Sequence, residues 1–192
     1  GLGLIDTIYN LGSGGTDPIN YNYTTALNKG AEVFLMSFPT NGYDTYSIST
    51  ILAEYREARD SCLGRGVEFF CTGTQPRNPY SAVNRTKLNT INDSLRNIFG
   101  ERFIDFNTFL LRKGADSMKT AYDQGDGFHI NAAGHAQLAE LVIAANMFQS
   151  FATGSTVNSH SAVIDSTIAT DNAVGSHLYQ LSVWDTYGVA NS

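Results

Sequence analysis

This chain of 192 residues is short of cysteine, of charge and of basic residues in particular. Its two cysteines, Cys62 and Cys71, are too few for a disulfide framework and lack the spacing of a metal-ligand set. The sequence leaves open a pair of half-buried thiols or a single bridge, and the thiols are the simpler expectation because few neighbouring pairs meet a bridge's geometry. Charged residues make up only 16%, with 12 Lys and Arg against 18 Asp and Glu and a net charge of -6. No basic cluster stands against that acidic balance, which argues against nucleic acid or an anionic membrane surface as partner. No apolar run is long enough to span a membrane, and no leader is visible. The first residue is Gly1 rather than Met, and a strand-like stretch follows at once. The expectation is a piece of a longer product, so the missing leader does not bear on localisation.

Apolar residues account for 42% of the chain and aromatic ones for 11%. That is enough for one domain with a real core. The 18 glycines, the low charge and the many Asn, Ser, Thr and Tyr suggest a secreted or surface-exposed bacterial protein.

Strand-like and helical patterns alternate. Residues 2–9 read as a strand, followed by a glycine-rich turn over residues 10–16. Residues 31–38 (AEVFLMSF) form a continuous apolar run, as in a strand buried on both faces. Ile48, Ile51, Leu52, Tyr55 and Cys62 fall at helical spacing, closed by Gly64 and Gly66. A third strand is expected over residues 67–72. A second helix carries Leu88, Ile91, Leu95 and Ile98 and stops at Gly100, and a short strand follows over residues 102–106. Asn131 is placed to cap a last helix with Leu138, Leu141, Val142, Ala145 and Phe148 on one face. The alternation predicts a parallel sheet with helices on both sides, a three-layer α/β/α domain over residues 1–150. In such sheets chemistry gathers at the carboxyl ends of the strands. The polar, glycine-rich segments at residues 12–16, 39–44, 74–79 and 125–131 sit there. Residues 151–192 change in texture to Ser, Thr, Asn and Val, which predicts a linker and the start of a β-rich module, with an exposed strand at residues 178–184.

Three segments can carry chemistry. In Asp126-Gly127-Phe128-His129, the Asp precedes the His by three residues on a loop leading into a helix. Its carboxylate can fold back onto Nδ1–H, which fixes the tautomer and presents Nε2 to a hydroxyl proton. A bare D-x-x-H is common by chance, and D-G and N-A-A-G are also ordinary turn and cap chemistry. Pro39-Thr40-Asn41-Gly42 ends a buried strand, where a side-chain amide can donate to an oxyanion or simply form an Asn-Gly turn. In Asn10 to Thr16, the glycines allow backbone N–H groups to converge on a small anion, or merely give a flexible loop.

Taken in order, these blocks resemble the SGNH hydrolases, also called GDSL esterases and lipases, over most of the chain from Ile8 to about Phe148. The match is strongest to a secreted bacterial branch, through Pro39-Thr40-Asn41, Gln75-Pro76-Arg77-Asn78 and the block from Tyr122 to His135. The resemblance implies a flavodoxin-like α/β/α fold and a serine esterase that needs no metal and no cofactor. His129 would be the general base, Asp126 its orienting partner, and Asn41 a side-chain oxyanion donor. The backbone N–H of Gly15 would be the second donor, with Gly14 the alternative if the loop is offset by one. The implied substrate is a small ester or an acylated carbohydrate. Arg77 would tether its loop or contact substrate.

The chain departs from the family pattern in two places. Gly42 and Tyr43 separate Asn41 from Asp44, where the family's Asn usually continues directly into Asp. More seriously, the family's nucleophile block, G-D-S or G-S-S after the first strand, should precede the glycine loop, yet only nine residues precede Asn10 and none is Ser. Ser13 and Ser117 are candidate substitutes, but neither follows a buried strand. The expectation is therefore an N-terminally truncated domain without its central first strand, inactive unless complemented. A second polypeptide, or residues 178–184, would fill the gap. The competing reading is a non-catalytic carbohydrate-binding or adhesion module that keeps the fold. A flavodoxin-like nucleotide binder is disfavoured because the glycine loop runs into Asp17-Pro18 rather than directly into a helix.

Overall fold

A computed structural model of the chain describes residues 5–12, 15–38, 40–111, 116–145, 147, 160–164, 167–170 and 179–182. A five-stranded parallel sheet forms its centre. The strands are β1 (Ile5–Asn10), β2 (Val33–Met36), β3 (Glu68–Thr72), β4 (Phe103–Ile104) and β5 (His160–Ile164), arranged β1-β5-β2-β3-β4.

The apolar run over residues 31–38 is buried throughout β2, because its alternate side chains serve opposite faces. Phe34 and Met36 join one core with Phe69 and Cys71 of β3. That face is covered by α2 (Ile48–Leu63), through Ile51, Tyr55 and Ala58, and by α3 (Ala82–Phe99), through Leu88, Ile91 and Leu95. Val33 and Leu35 point the other way, into a second core with Phe70, Ile104, Leu138 and Val142. The last two belong to α5 (Ala132–Ala144), which shares this side with α4 (Phe106–Leu110). Each fully buried aliphatic side chain contributes roughly 1.5–3 kcal/mol. Neither core closes without the sheet between them. The expected three-layer α/β/α arrangement is the observed one.

Local chemistry sets the ends. Ser47 and Ser81 accept hydrogen bonds from the Thr50 and Asn84 amides at the starts of α2 and α3. Gly100 ends α3 with φ of 54°. The expected strand over residues 102–106 is shorter than its pattern, because Asp105 accepts from the Thr108 amide at 3.0 Å and starts α4. A short helix, α1 (Tyr23–Leu27), was not evident in the sequence; five residues are too few to show a period.

The vacancy expected between the first two strands is filled from within the chain. β5 pairs in parallel with β1, Ile5 facing His160 and Asn10 facing Ile164, and with β2, Val33 facing Ala162 and Leu35 facing Ile164. The strand that fills the gap is thus residues 160–164, not 178–184. Backbone groups of β1 and β2 that would be left unpaired in a gapped sheet find partners in β5. The sequence hid this because His160-Ser161-Ala162-Val163-Ile164 is short and set in a polar tract. Within residues 178–184 lies β7 (Tyr179–Ser182), which pairs antiparallel with β6 (Thr167–Thr170) in a separate two-stranded sheet.

Cys62 and Cys71 are free and buried, so no bridge forms. Burial pushes the Cys62 thiol up to about 12 and raises that of Cys71 as well. A thiol-specific chromogenic reagent at neutral pH should therefore find no reactive thiol in the folded protein and two after guanidinium unfolding. Rapid reaction of the folded protein would contradict this packing.

Candidate active site at the carboxyl edge of the sheet

The segment between α4 and α5 closes on itself. Asp123 bridges to Ile130 in antiparallel fashion, and its Oδ1 accepts from the Gly125 and Gly127 amides at 2.8 and 3.0 Å. Asn131 caps α5 by accepting from the Gly134 amide at 3.0 Å, and its Nδ2 donates back to the carbonyls of Ala121 and Asp123. On this frame the Asp126 Oδ1 accepts from the backbone N–H groups of Phe128 at 3.0 Å and His129 at 2.8 Å. Its other oxygen, Oδ2, meets His129 Nδ1. The hydrogen bond expected from the D-x-x-H spacing is therefore present. His129 is 6% exposed, so its ring is held by packing as well as by Asp126. Desolvation pushes the Asp126 carboxyl up, but the two backbone donors and the imidazole outweigh it and hold the group below the usual carboxylate value. Gly127 has φ of +82°, and a Cβ there would lie 2.9 Å from Asn78 Cβ, so a side chain would disturb the loop on both counts.

Asn41 lies at the end of the segment following β2. Its Nδ2 donates to the Thr16 carbonyl at 3.4 Å, which places the side-chain amide against the glycine loop that follows β1. Gly15, the preceding residue in that loop, is exposed with φ of +79°. The two expected oxyanion donors are thus on adjoining segments; Ser13 and Gly14 lie outside the described residues. The Gly42-Tyr43 insertion is absorbed by the core: Tyr43 is buried with its hydroxyl 2.9 Å from that of Tyr55.

The loop after β3 joins the histidine segment to the Asn41 segment. The Gln75 side chain donates to the Phe128 carbonyl at 3.4 Å, and the Asn78 amide donates to the Gly127 carbonyl at 2.7 Å. In the other direction, Arg77 donates to Thr40 Oγ1 at 3.2 Å, and the Tyr80 hydroxyl donates to the Thr40 carbonyl at 2.7 Å. The Arg77 guanidinium also lies 4.8 Å from the ring centres of both Tyr80 and Phe128. The loop-tethering reading of Arg77 accounts for these contacts. The loop is itself anchored by two buried asparagines. Asn92 Oδ1 accepts from the Thr74 amide at 2.9 Å, and Asn107 Nδ2 donates to the Thr74 carbonyl at 3.0 Å.

Sequence reasoning missed Gln75, Asn78 and these two asparagines as supports. One signal was available: Asn92 interrupts the apolar stripe of Leu88, Ile91 and Leu95, and a polar residue at such a position needs a partner. Asn92 also opens an N-x-S/T sequon, and its burial closes that site to glycosylation in the folded protein. Ser117 is in a half-buried bend, and neighbouring Asp116 pairs with Arg85. His135 lies within α5, His160 opens β5, and His177 is outside the described residues. Among the described residues no group of His, Cys, Asp and Glu converges as metal ligands, and no helix is long and apolar enough to cross a membrane.

No family model and no curated protein matches this sequence. Solved structures do. One is a Bacteroides fragilis protein described as a "putative acylhydrolase", 15% identical, with a TM-score of 0.52 over 67% of this chain and 64% of that one. Another is a Desulfitobacterium hafniense "putative lipolytic protein of G-D-S-L family", 8% identical, with a TM-score of 0.56 over 69% of this chain and 75% of that one. The chain has the GDSL-like α/β/α fold. It spans under two thirds of the length of the first of these relatives, and at such identities the likeness concerns the fold.

Two outcomes are expected. Asn92→Ala leaves the Thr74 amide buried without an acceptor, and should lower stability by about 1–3 kcal/mol in a denaturant titration. The depressed Asp126 value means that its contribution to stability is fully present above the unfolded-state value near 4 and lost as pH falls through the lower folded-state value. Melting temperatures recorded from pH 6 downward should therefore fall less steeply in Asp126→Asn than in the parent.

Proposed function

We propose that the protein is a carboxylic ester hydrolase acting on acyl or acetyl esters, carbohydrate esters among them. The observation that carries this reading is the Asp126–His129 pair, held on a self-closed loop at the carboxyl edge of a parallel sheet. Asn41 supports it, because its amide lies against the glycine loop. Asp126 engages Nδ1, so Nε2 is the nitrogen that takes the proton from a hydroxyl nucleophile. The hydroxyl oxygen attacks the ester carbonyl, and the oxyanion that develops is met by Asn41 Nδ2 and the Gly15 amide. His129 then passes its proton to the departing alkoxide, and water repeats the sequence on the acyl intermediate. Dinucleotides and metal ions have no part in these steps.

p-Nitrophenyl acetate hydrolysis by the protein and its His129→Ala variant tests the proposal. The variant should lose roughly a thousand-fold or more in kcat, and Asn41→Ala about a hundred- to a thousand-fold. Equal background rates in the parent and His129→Ala would overturn the catalytic reading in favour of a binding module on the same fold.

A further inference from the structure

Among the described residues, Arg59, Arg77, Arg85, Arg96 and Arg102 are half-buried. Four of them are answered by acid. Arg59 pairs with Asp60 at 2.7 Å, Arg85 with Asp116 at 2.9 Å, Arg96 with Asp93 and Asp105 at 2.6 Å, and Arg102 with Glu68 at 2.6 Å. Arg77 pairs with no carboxylate of the described residues. The chain does not lack acids for the purpose, having 18 Asp and Glu against 12 Lys and Arg. Two carboxylates belong to neighbouring segments, and both are otherwise engaged. That of Asp126 is taken by two backbone amides and His129, and that of Asp44 acts on the Tyr80 hydroxyl.

Tethering the loop accounts for where Arg77 sits but leaves its charge uncompensated. Its hydrogen bond runs from Nη1 to the neutral Thr40 hydroxyl at 3.2 Å, and Nε is buried with no acceptor. The tether thus uses one of the five N–H donors of the guanidinium. The rings of Tyr80 and Phe128, each 4.8 Å away, attract a cation but carry no net charge. A cation partly withdrawn from water without a counter-charge costs free energy that an incoming anion recovers. Arginine meets a carboxylate through paired, charge-assisted N–H···O bonds, and packing has already fixed this side chain.

The guanidinium also stands beside the groups proposed to act on the ester. Phe128 precedes His129, and the two ring centres are 3.7 Å apart; Thr40 precedes Asn41. Arg77 therefore touches the residue before each of them. A substituent a few bonds from the ester carbonyl comes within its reach.

We propose that Arg77 is a specificity-determining residue that binds a carboxylate carried by the substrate. The preferred esters are then those bearing an acid group, with O-acylated sugar acids among the carbohydrates. The proposal rests on the esterase reading above and adds the substrate's charge to it. The carboxylate can stand on the acyl or the alcohol side of the ester, and either presents the same anion to the guanidinium.

The test compares esters that differ only in that charge. On the acyl side the pair is p-nitrophenyl hydrogen glutarate and its carboxamide, read by nitrophenolate release with the uncatalysed rate subtracted. On the alcohol side it is β-acetoxypropionate and its carboxamide, read by acetate release. The parent should favour the charged member of at least one pair by roughly ten-fold or more in kcat/KM, and that pair identifies the side. Arg77→Gln should bring the ratio to about one, whereas Arg77→Lys, which keeps the charge but not the planar fork, should retain part of it. The ratio is the readout because a loosened loop slows both members alike. Calorimetric titration with glutarate and β-hydroxypropionate, which carry no ester, should show binding of at least one, weakened roughly ten-fold or more in Arg77→Gln. A ratio near one in the parent for both pairs, or a ratio unchanged in Arg77→Gln, would overturn the assignment. If hydrolysis still depended on His129, the esterase reading would stand. Arg77-dependent binding without His129-dependent hydrolysis would overturn the esterase reading and leave the carboxylate site. Neither binding nor hydrolysis in the parent would overturn both.

Discussion

The hydrogen bonds that the loop after β3 makes in two directions hold the candidate site together. Gln75 and Asn78 grip the carbonyls of Phe128 and Gly127, while Arg77 and Tyr80 grip Thr40. The histidine segment and the asparagine segment belong to different crossovers of the sheet and have no covalent reason to stay in register. A base and an oxyanion donor misplaced by an ångström lose much of their effect. The loop supplies that register through main-chain and buried polar contacts, and two asparagines from α3 and α4 fix the loop in turn. Thr40, Gln75, Tyr80, Asn92 and Asn107 are buried, so their bonds are harder to replace than surface equivalents.

The electrostatics follow the same division. His129 is buried, whereas the side chain of its partner Asp126 is 40% exposed and also takes two backbone donors. An aspartate fixed in this way stays ionised, can stabilise a developing imidazolium and gains nothing by accepting the proton itself. The aromatic surroundings belong to the same arrangement: Phe128 packs against the His129 ring and also meets the Arg77 guanidinium, so one ring connects His129 to the loop that positions it.

Much of this was legible in the sequence, for identifiable reasons. The uninterrupted apolar run of β2 and the helical period of Ile51, Leu52 and Tyr55 report burial on one or two faces, which is set by nearest neighbours along the chain. The Asp126–His129 contact is local, spanning three residues, and so are the serine and asparagine caps. What stayed hidden was non-local or too short. β5 has five residues, and its place between β1 and β2 is decided by backbone pairing across most of the chain's length, which leaves no periodic trace. The roles of Gln75 and Asn78 depend on the path of a distant loop. Asn107 supports Thr74 from a helix of only five residues, too brief to show which side faces inward.

The position of β5 also bears on how the protein is assembled in time. β2, β3 and β4 with the helices between them form a run of successive parallel neighbours, whereas among the described residues β1 is hydrogen-bonded to the sheet only through β5. During synthesis β1 precedes β2, β3 and β4, and it has no β5 partner until residues 160–164 have followed. Pairings of such high sequence separation close slowly, because the loop entropy is lost before the contacts are gained. Among the five described strands of this sheet, the one between β1 and β2 is the last in chain order. Until it is in place the two flanking strands present open edges of the kind that invite association with other chains.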